Sequence, residues 1–195
     1  QHAELQARSV ADAAALLQAG CPSRPLVELP TRYADCLCDG GLMDILPADI
    51  PERLTAARDA VQAACDAMAD SAIPDALTHG DLSEDNAAWA DGRYRVFDWT
   101  DACLTHPFMD SMDAYGIDPG PARDSAMLAT IAPWREYESD IRLRETWTAA
   151  EVAACAHRFC MYHGITAGLP VRVQHEHLDG YIGMAAIMAR AATSA

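Results

Sequence analysis

The sequence contains no lysine; all 14 of its basic residues are arginines. It has a single asparagine, Asn86, and only three phenylalanines in 195 residues. No apolar run approaches the roughly 18 residues that mark a membrane span, so no membrane partner is expected. The opening Gln1-His2-Ala3-Glu4 has neither the basic nor the apolar stretch of a signal peptide. Positive charge is scarce: 29 acidic residues against 14 basic give a net charge of -15. That balance excludes the basic footprint of a general nucleic-acid binder. It suits a solvated acidic surface, or carboxylates that hold a cationic small molecule. The seven cysteines lack zinc or CxxC spacing, with Cys36-Leu37-Cys38 and the Cys155 to Cys160 interval the nearest approaches. They read as reduced core residues of a cytoplasmic protein.

What is present is mostly helical pattern. Leu5, Val10, Ala13, Leu16 and Leu17 form a stripe that predicts a helix over 4–19, stopped by Gly20. A short helix is expected from Thr31, broken near Gly40-Gly41. Leu54, Ala57, Val61, Ala64, Cys65 and Met68 predict one helix over 52–69, with Pro51 at its start. After Pro107, helices are expected over 108–115, 121–131, 134–144, 149–166 and 173–192. Thr148-Ala149-Ala150-Glu151 has the form of a capping box opening the fourth of these. Between the helical halves, Ala87-Ala88-Trp89 and Tyr94-Arg95-Val96-Phe97 flank Asp91-Gly92, a hairpin turn pair. One domain is expected over 1–195. It divides into a helical linker or subdomain (1–75), catalytic and metal loops (76–115) and C-terminal helices (116–195).

The polar motifs concentrate in that short β segment. His79-Gly80-Asp81-Leu82-Ser83-Glu84-Asp85-Asn86 has the H-x-D-x4-N form of a kinase catalytic loop. Asp98 follows 12 residues later, ending the apolar piece Val96-Phe97. Phosphoryl transfer needs a hydroxyl aligned with the γ-phosphate and cations on the polyphosphate. Asp81 is the candidate to accept the hydroxyl proton. The Asn86 amide oxygen and the Asp98 carboxylate suit Mg2+, which takes hard oxygen ligands beside phosphates and water. His79 reads as structural, holding the loop through backbone hydrogen bonds. The plain alternative is that Asp81 and Asn86 only cap a turn.

With Phe97-Asp98-Trp99-Thr100-Asp101-Ala102 and His106-Pro107-Phe108-Met109-Asp110, the segment from 79 to 113 resembles the aminoglycoside phosphotransferase and choline kinase group. The flanking helices resemble that family's C-terminal lobe more loosely. The resemblance implies a mainly α fold with a small β hairpin, a protein-kinase-like C-terminal lobe with the N-terminal β lobe absent. It implies Asp81 as base, Asn86 and Asp98 as magnesium ligands and ATP as co-substrate. It makes Asp110 a brace for the catalytic loop, and Asp101 a support or a substrate contact. The family's histidine two residues after the catalytic Asp is here Ser83, whose hydroxyl can still bond locally.

The family's upper lobe also supplies a cover over the phosphates and a lysine. Residues 1–75 show neither, and the missing initiator Met predicts a longer gene product. The isolated chain is therefore expected to fold but to turn over little. The acceptor is expected to be a small hydroxylated molecule, with the acidic balance tilting toward a cationic one. Two other classes compete: a non-catalytic kinase-derived module binding a small molecule or protein, and a metal hydrolase built on Asp81, Asp98 and His106. His175-Glu176-His177 reads as a polar helix face rather than a metal site, because i and i+2 point apart. His157 and His163, with Trp134 and Trp147, read as packing residues, with the 149–166 helix a candidate wall of the acceptor cleft. Glu84 and Asp85 flank the metal positions and tune local charge.

Overall fold

A computed structural model describes every residue except His175 and Ala195. Helices α1 (His2–Ser9) and α2 (Ala13–Gln18) come first. They are the two halves of the predicted 4–19 helix, separated by a 3-10 turn at Val10–Asp12. Gly20, at φ +96°, ends the second half in the left-handed conformation that glycine adopts freely. Helices α3 (Leu29–Leu37), α4 (Gly40–Met43), α5 (Ile50–Ala56) and α6 (Arg58–Ala69) follow. Gly40-Gly41 opens α4, where a break was expected; Asp39 caps it by accepting the Leu42 N–H at 3.2 Å. The predicted 52–69 helix is likewise two, α5 and α6, meeting at Ala57.

The strands are short. β1 (Ala76–Thr78) pairs antiparallel with β4 (Cys103–Thr105), and β2 (Ala87–Ala90) pairs with β3 (Arg93–Val96). The second pair is the predicted hairpin. Asp91 and Gly92 both have positive φ, 52° and 74°, as a two-residue type I′ turn requires. The first pair was not anticipated, so the fold has two small antiparallel sheets rather than one hairpin. The 21–25 connector joins this first sheet: Leu104 N–H donates to the Pro22 carbonyl and Arg24 N–H to the Leu104 carbonyl, both at 2.8 Å.

The second half contains α7 (Met112–Tyr115), α8 (Pro121–Ile131), α9 (Asp140–Gly168), α10 (Val171–Gln174) and α11 (Leu178–Ser194). Helix α9 runs 29 residues and absorbs the predicted 149–166 helix together with the end of the predicted 134–144 one, whose first residues instead form a 3-10 turn and a loop. The expected capping box lies inside it, where the Thr148 hydroxyl donates to the Arg144 carbonyl at 2.9 Å. Its cap is Ser139, whose Oγ accepts the Arg142 N–H.

Helix α9 is the axis of the core. Ala150, Ala153, Ala154 and Ala156 are wholly buried on it, so neighbouring helices approach its backbone closely. Leu54, Val61 and Met68 pack from α5 and α6, Leu29 and Tyr33 from α3, and Tyr181, Ala185 and Met188 from α11. Each large apolar side chain fully buried there contributes about 1.5–3 kcal/mol. Trp134 and Trp147 are buried in the same core. Among the described residues, no helix is long and apolar enough to cross a membrane. The His175-Glu176-His177 reading falls partly outside the described residues, at His175.

Candidate functional site

Strand β1 delivers the polar loop into the molecule. Its last residue, Thr78, is buried and donates through its hydroxyl to the Cys103 carbonyl at 2.9 Å, tying the loop's entry to β4. His79 follows, with no exposed surface. Its Nδ1 accepts the Asp81 N–H at 3.2 Å. Nδ1 is therefore the unprotonated nitrogen, and Nε2 donates to the Phe97 carbonyl at 2.8 Å. The ring packs edge-on against Trp99, centroids 4.7 Å apart. One imidazole thus connects the loop to the segment that carries Asp98.

Gly80 has φ +81°, and a Cβ there would collide with the Asp101 carbonyl. Only glycine fits both demands. The Asp110 carboxylate lies beneath, 8 % exposed. It accepts the His79 N–H at 2.6 Å and the Gly80 N–H at 2.9 Å. It also accepts the Gln6 side-chain amide at 3.2 Å and His2 Nε2 at 2.9 Å, which brings α1 into the brace. Charge-assisted bonds of this kind contribute about 1.5–3 kcal/mol each.

Asp81 is partly exposed at the loop's tip. Its Oδ2 accepts from Asn86 Nδ2 at 3.1 Å, and the same amide donates to the Asp81 carbonyl at 2.8 Å. With its nitrogen committed, Asn86 keeps its Oδ1 for another partner. Asp81 Oδ1 lies 2.7 Å from Arg158 Nη2, and Arg158 Nη1 donates to the Gly80 carbonyl. Arg158 comes from α9, 78 residues away in sequence, and is 8 % exposed. It grips both the carboxylate and the backbone that presents it.

Asp98 sits just beyond β3. The Phe97 N–H donates to the Asn86 carbonyl at 3.1 Å, extending the hairpin register and placing Asp98 next to the Asn86 pair. Asp98 has φ +60°, one of two non-glycine residues in this conformation among the described residues. Its carboxylate is exposed, and Oδ1 accepts the Thr100 hydroxyl at 2.7 Å. A left-handed non-glycine residue costs on the order of 1 kcal/mol, and Asp tolerates it better than most side chains do.

Ser83 contributes through its backbone: its carbonyl accepts the Asn86 N–H at 3.2 Å, and its hydroxyl caps nothing. Asp101 presses its carbonyl on Gly80 and is itself half-buried. Glu84 and Asp85 are exposed. His106, the third member of the hydrolase alternative, is buried; its Nδ1 accepts the Phe108 N–H at 3.3 Å. The residue that sequence reasoning missed is Arg158. Its signal was a lone charge in the apolar stretch Val152-Ala-Ala-Cys-Ala-His-Arg-Phe-Cys-Met161.

Asn86 and Asp98 offer two hard oxygens on adjacent backbone positions, which fits a cation completed by phosphates and water. Among the described residues, no group of three His, Cys, Asp or Glu side chains converges to hold a metal alone. No curated protein matches the chain. No solved structure matches it either. The model of the phosphotransferase enzyme family (APH) matches residues 1–154, and so spans the helices before the loop, the loop itself, the hairpin and the first half of α9. By that match, over well more than half of its length, this chain belongs to the phosphotransferase enzyme family.

Proposed function

We propose that the chain is the catalytic and substrate-binding part of an ATP-dependent small-molecule O-phosphotransferase. The observation that carries this reading is the joint bracing of one loop. Asp110 holds its backbone, Arg158 and Asn86 hold Asp81, and His79 links it to the Asp98 segment. Each carboxylate oxygen has two acceptor sites, so Asp81 still has room for an acceptor hydroxyl beside its two partners. Asp81 takes the hydroxyl proton. The freed oxygen bonds to the γ-phosphorus as the β–γ bridging bond breaks, and ADP leaves with that electron pair. Asn86 Oδ1 and the Asp98 carboxylate would hold Mg2+, which when bound neutralises charge on the polyphosphate. A recess of about 660 Å³ between α1 and the hairpin, lined by Leu82, Ala87, Val96 and Trp99, borders the same loop and suits a nucleobase.

One observation favours a second reading, a kinase-derived module that binds without transferring phosphate. Arg158 pairs with the Asp81 carboxylate, which makes that carboxylate a weaker proton acceptor. Calorimetry with MgADP tests the phosphotransferase reading. Binding should occur and weaken at least about tenfold in Asp98→Asn, the loss expected for one charged contact. Absent binding, or equal binding by the variant, overturns it.

A further inference from the structure

A second, open cavity of about 500 Å³ is lined by residues of α3, α9 and the 21–25 connector. It adjoins Gly80 through two of its lining residues, Asp101 and Met161. Arg24 and Arg32 also line it. Arg24 is delivered by the backbone bond from its own N–H to the Leu104 carbonyl, and Arg32 by α3.

These two guanidiniums stand out by their buried nitrogens, not by the lack of an ion pair alone. Among the described residues, carboxylates pair with Arg53, Arg95, Arg123, Arg135, Arg142 and Arg158. None lies within ion-pair distance of Arg24 or Arg32, although Asp35 and Asp101 line the same cavity. Arg24 Nη1 and Arg32 Nε are buried and have no hydrogen-bond partner. Arg32 meets His157, whose Nδ1 lies 3.1 Å from its Nη2. Burial, then the charges of Arg32 and Arg24, push His157 down to about 3, so both guanidiniums act on one buried point and His157 adds no charge there. Buried donors left open are costly and rare, and a planar guanidinium matches an oxyanion fork to fork.

We infer that this cavity is the acceptor site, and that the acceptor is a small hydroxylated molecule carrying a carboxylate or phosphate group held by Arg24 and Arg32. The inference rests on the phosphotransferase reading for the word acceptor, but the anion site stands on the two arginines alone. It runs opposite to the cationic acceptor that net charge suggests. Net charge is a sum over the whole surface, whereas in this cavity Asp35 and Asp101 line the wall without pairing with either arginine, and both guanidiniums keep a buried nitrogen open.

The test is NMR of the Arg Nε–Hε groups, with D-glycerate, glycerol 3-phosphate, glycerol and choline added separately. Glycerate or glycerol 3-phosphate should shift the Arg32 and Arg24 resonances, and whichever does so identifies the anion. Glycerol and choline should shift neither. Arg24→Gln with Arg32→Gln should weaken that binding at least about tenfold, and Arg32→Lys should weaken it less, because charge survives while the fork is lost. Circular dichroism checks that each variant is folded. Equal shifts with glycerol, no shift with either anion, or unchanged binding by the folded double variant would each overturn the inference. MgADP calorimetry reads the phosphotransferase function separately, so loss of one result leaves the other standing.

Discussion

At the residue scale, the site depends on a few atoms with no latitude. Gly80 is the tightest: positive φ and the Asp101 carbonyl both forbid a side chain. Gly80→Ala should lower stability by about 2 kcal/mol or more, read as a lower urea midpoint with unchanged slope. An unchanged midpoint would show that the loop can shift, and that its backbone geometry is not fixed as described. The buried histidines predict a pH dependence. Burial pushes both His106 and His157 down to about 3, with Arg32 and Arg24 adding to the effect on His157. The unfolded chain binds these protons near pH 6.5, and the folded chain does not until about pH 3. Stability should therefore fall as pH drops from about 6.5 toward 3, by up to about 1.4 kcal/mol per unit for each histidine. His106→Asn keeps an acceptor for the Phe108 N–H and should flatten the slope by its share. The same slope in that variant would assign the acid sensitivity to other groups. His79, Asp81, Asn86 and Asp98 stood out as a spaced motif, and Asp110 only through the family resemblance. Arg158, Arg24 and Arg32 did not, because their roles depend on which distant helix or sheet edge meets the loop.

At the element scale, helix α9 joins core and site. Its alanine-lined face lets α3, α6 and α11 approach, and its Arg158 reaches the loop. Ala153→Leu should overpack that contact and cost about 1–3 kcal/mol in thermal or urea unfolding, without removing any site residue. A neutral outcome would mean that the helices separate easily and that α9 is not the axis. Element type was readable here better than element extent. The stripe that predicted helices over 134–144 and 149–166 was real, but Thr148-Ala149-Ala150-Glu151 could cap a helix only if the chain turned there. Core packing kept it helical, and Thr148 satisfied itself on Arg144 instead. The hairpin was readable because Asp91-Gly92 supplies the two positive φ angles locally. The β1–β4 pair was not, since Ala76–Thr78 and Cys103–Thr105 are three residues each and lie 25 residues apart in register.

At the scale of the whole molecule, two cavities flank one braced loop. On the proposed reading, the apolar recess by the hairpin and the arginine-lined cavity by α9 would hold the two substrates next to the loop that carries Asp81. On the same reading, Asn86 and Asp98 are the two metal ligands this chain would bring to the polyphosphate, and residues 1–75 contain helices rather than strands. The chain alone should accordingly show little ATP turnover, and calorimetry should find magnesium binding weak until nucleotide is added. Robust turnover abolished by Asp81→Asn would contradict the first expectation, and tight magnesium binding without nucleotide the second. The central claim is that Asp81, Asn86 and Asp98 form one nucleotide-metal site. It is tested most directly by paramagnetic broadening of the chain's NMR signals on adding Mn2+ with ADP. The Asn86 side-chain amide and the Asp98 and Trp99 backbone signals should broaden first, and Asp98→Asn should remove the effect. Broadening centred elsewhere, or identical broadening in Asp98→Asn, would contradict the account.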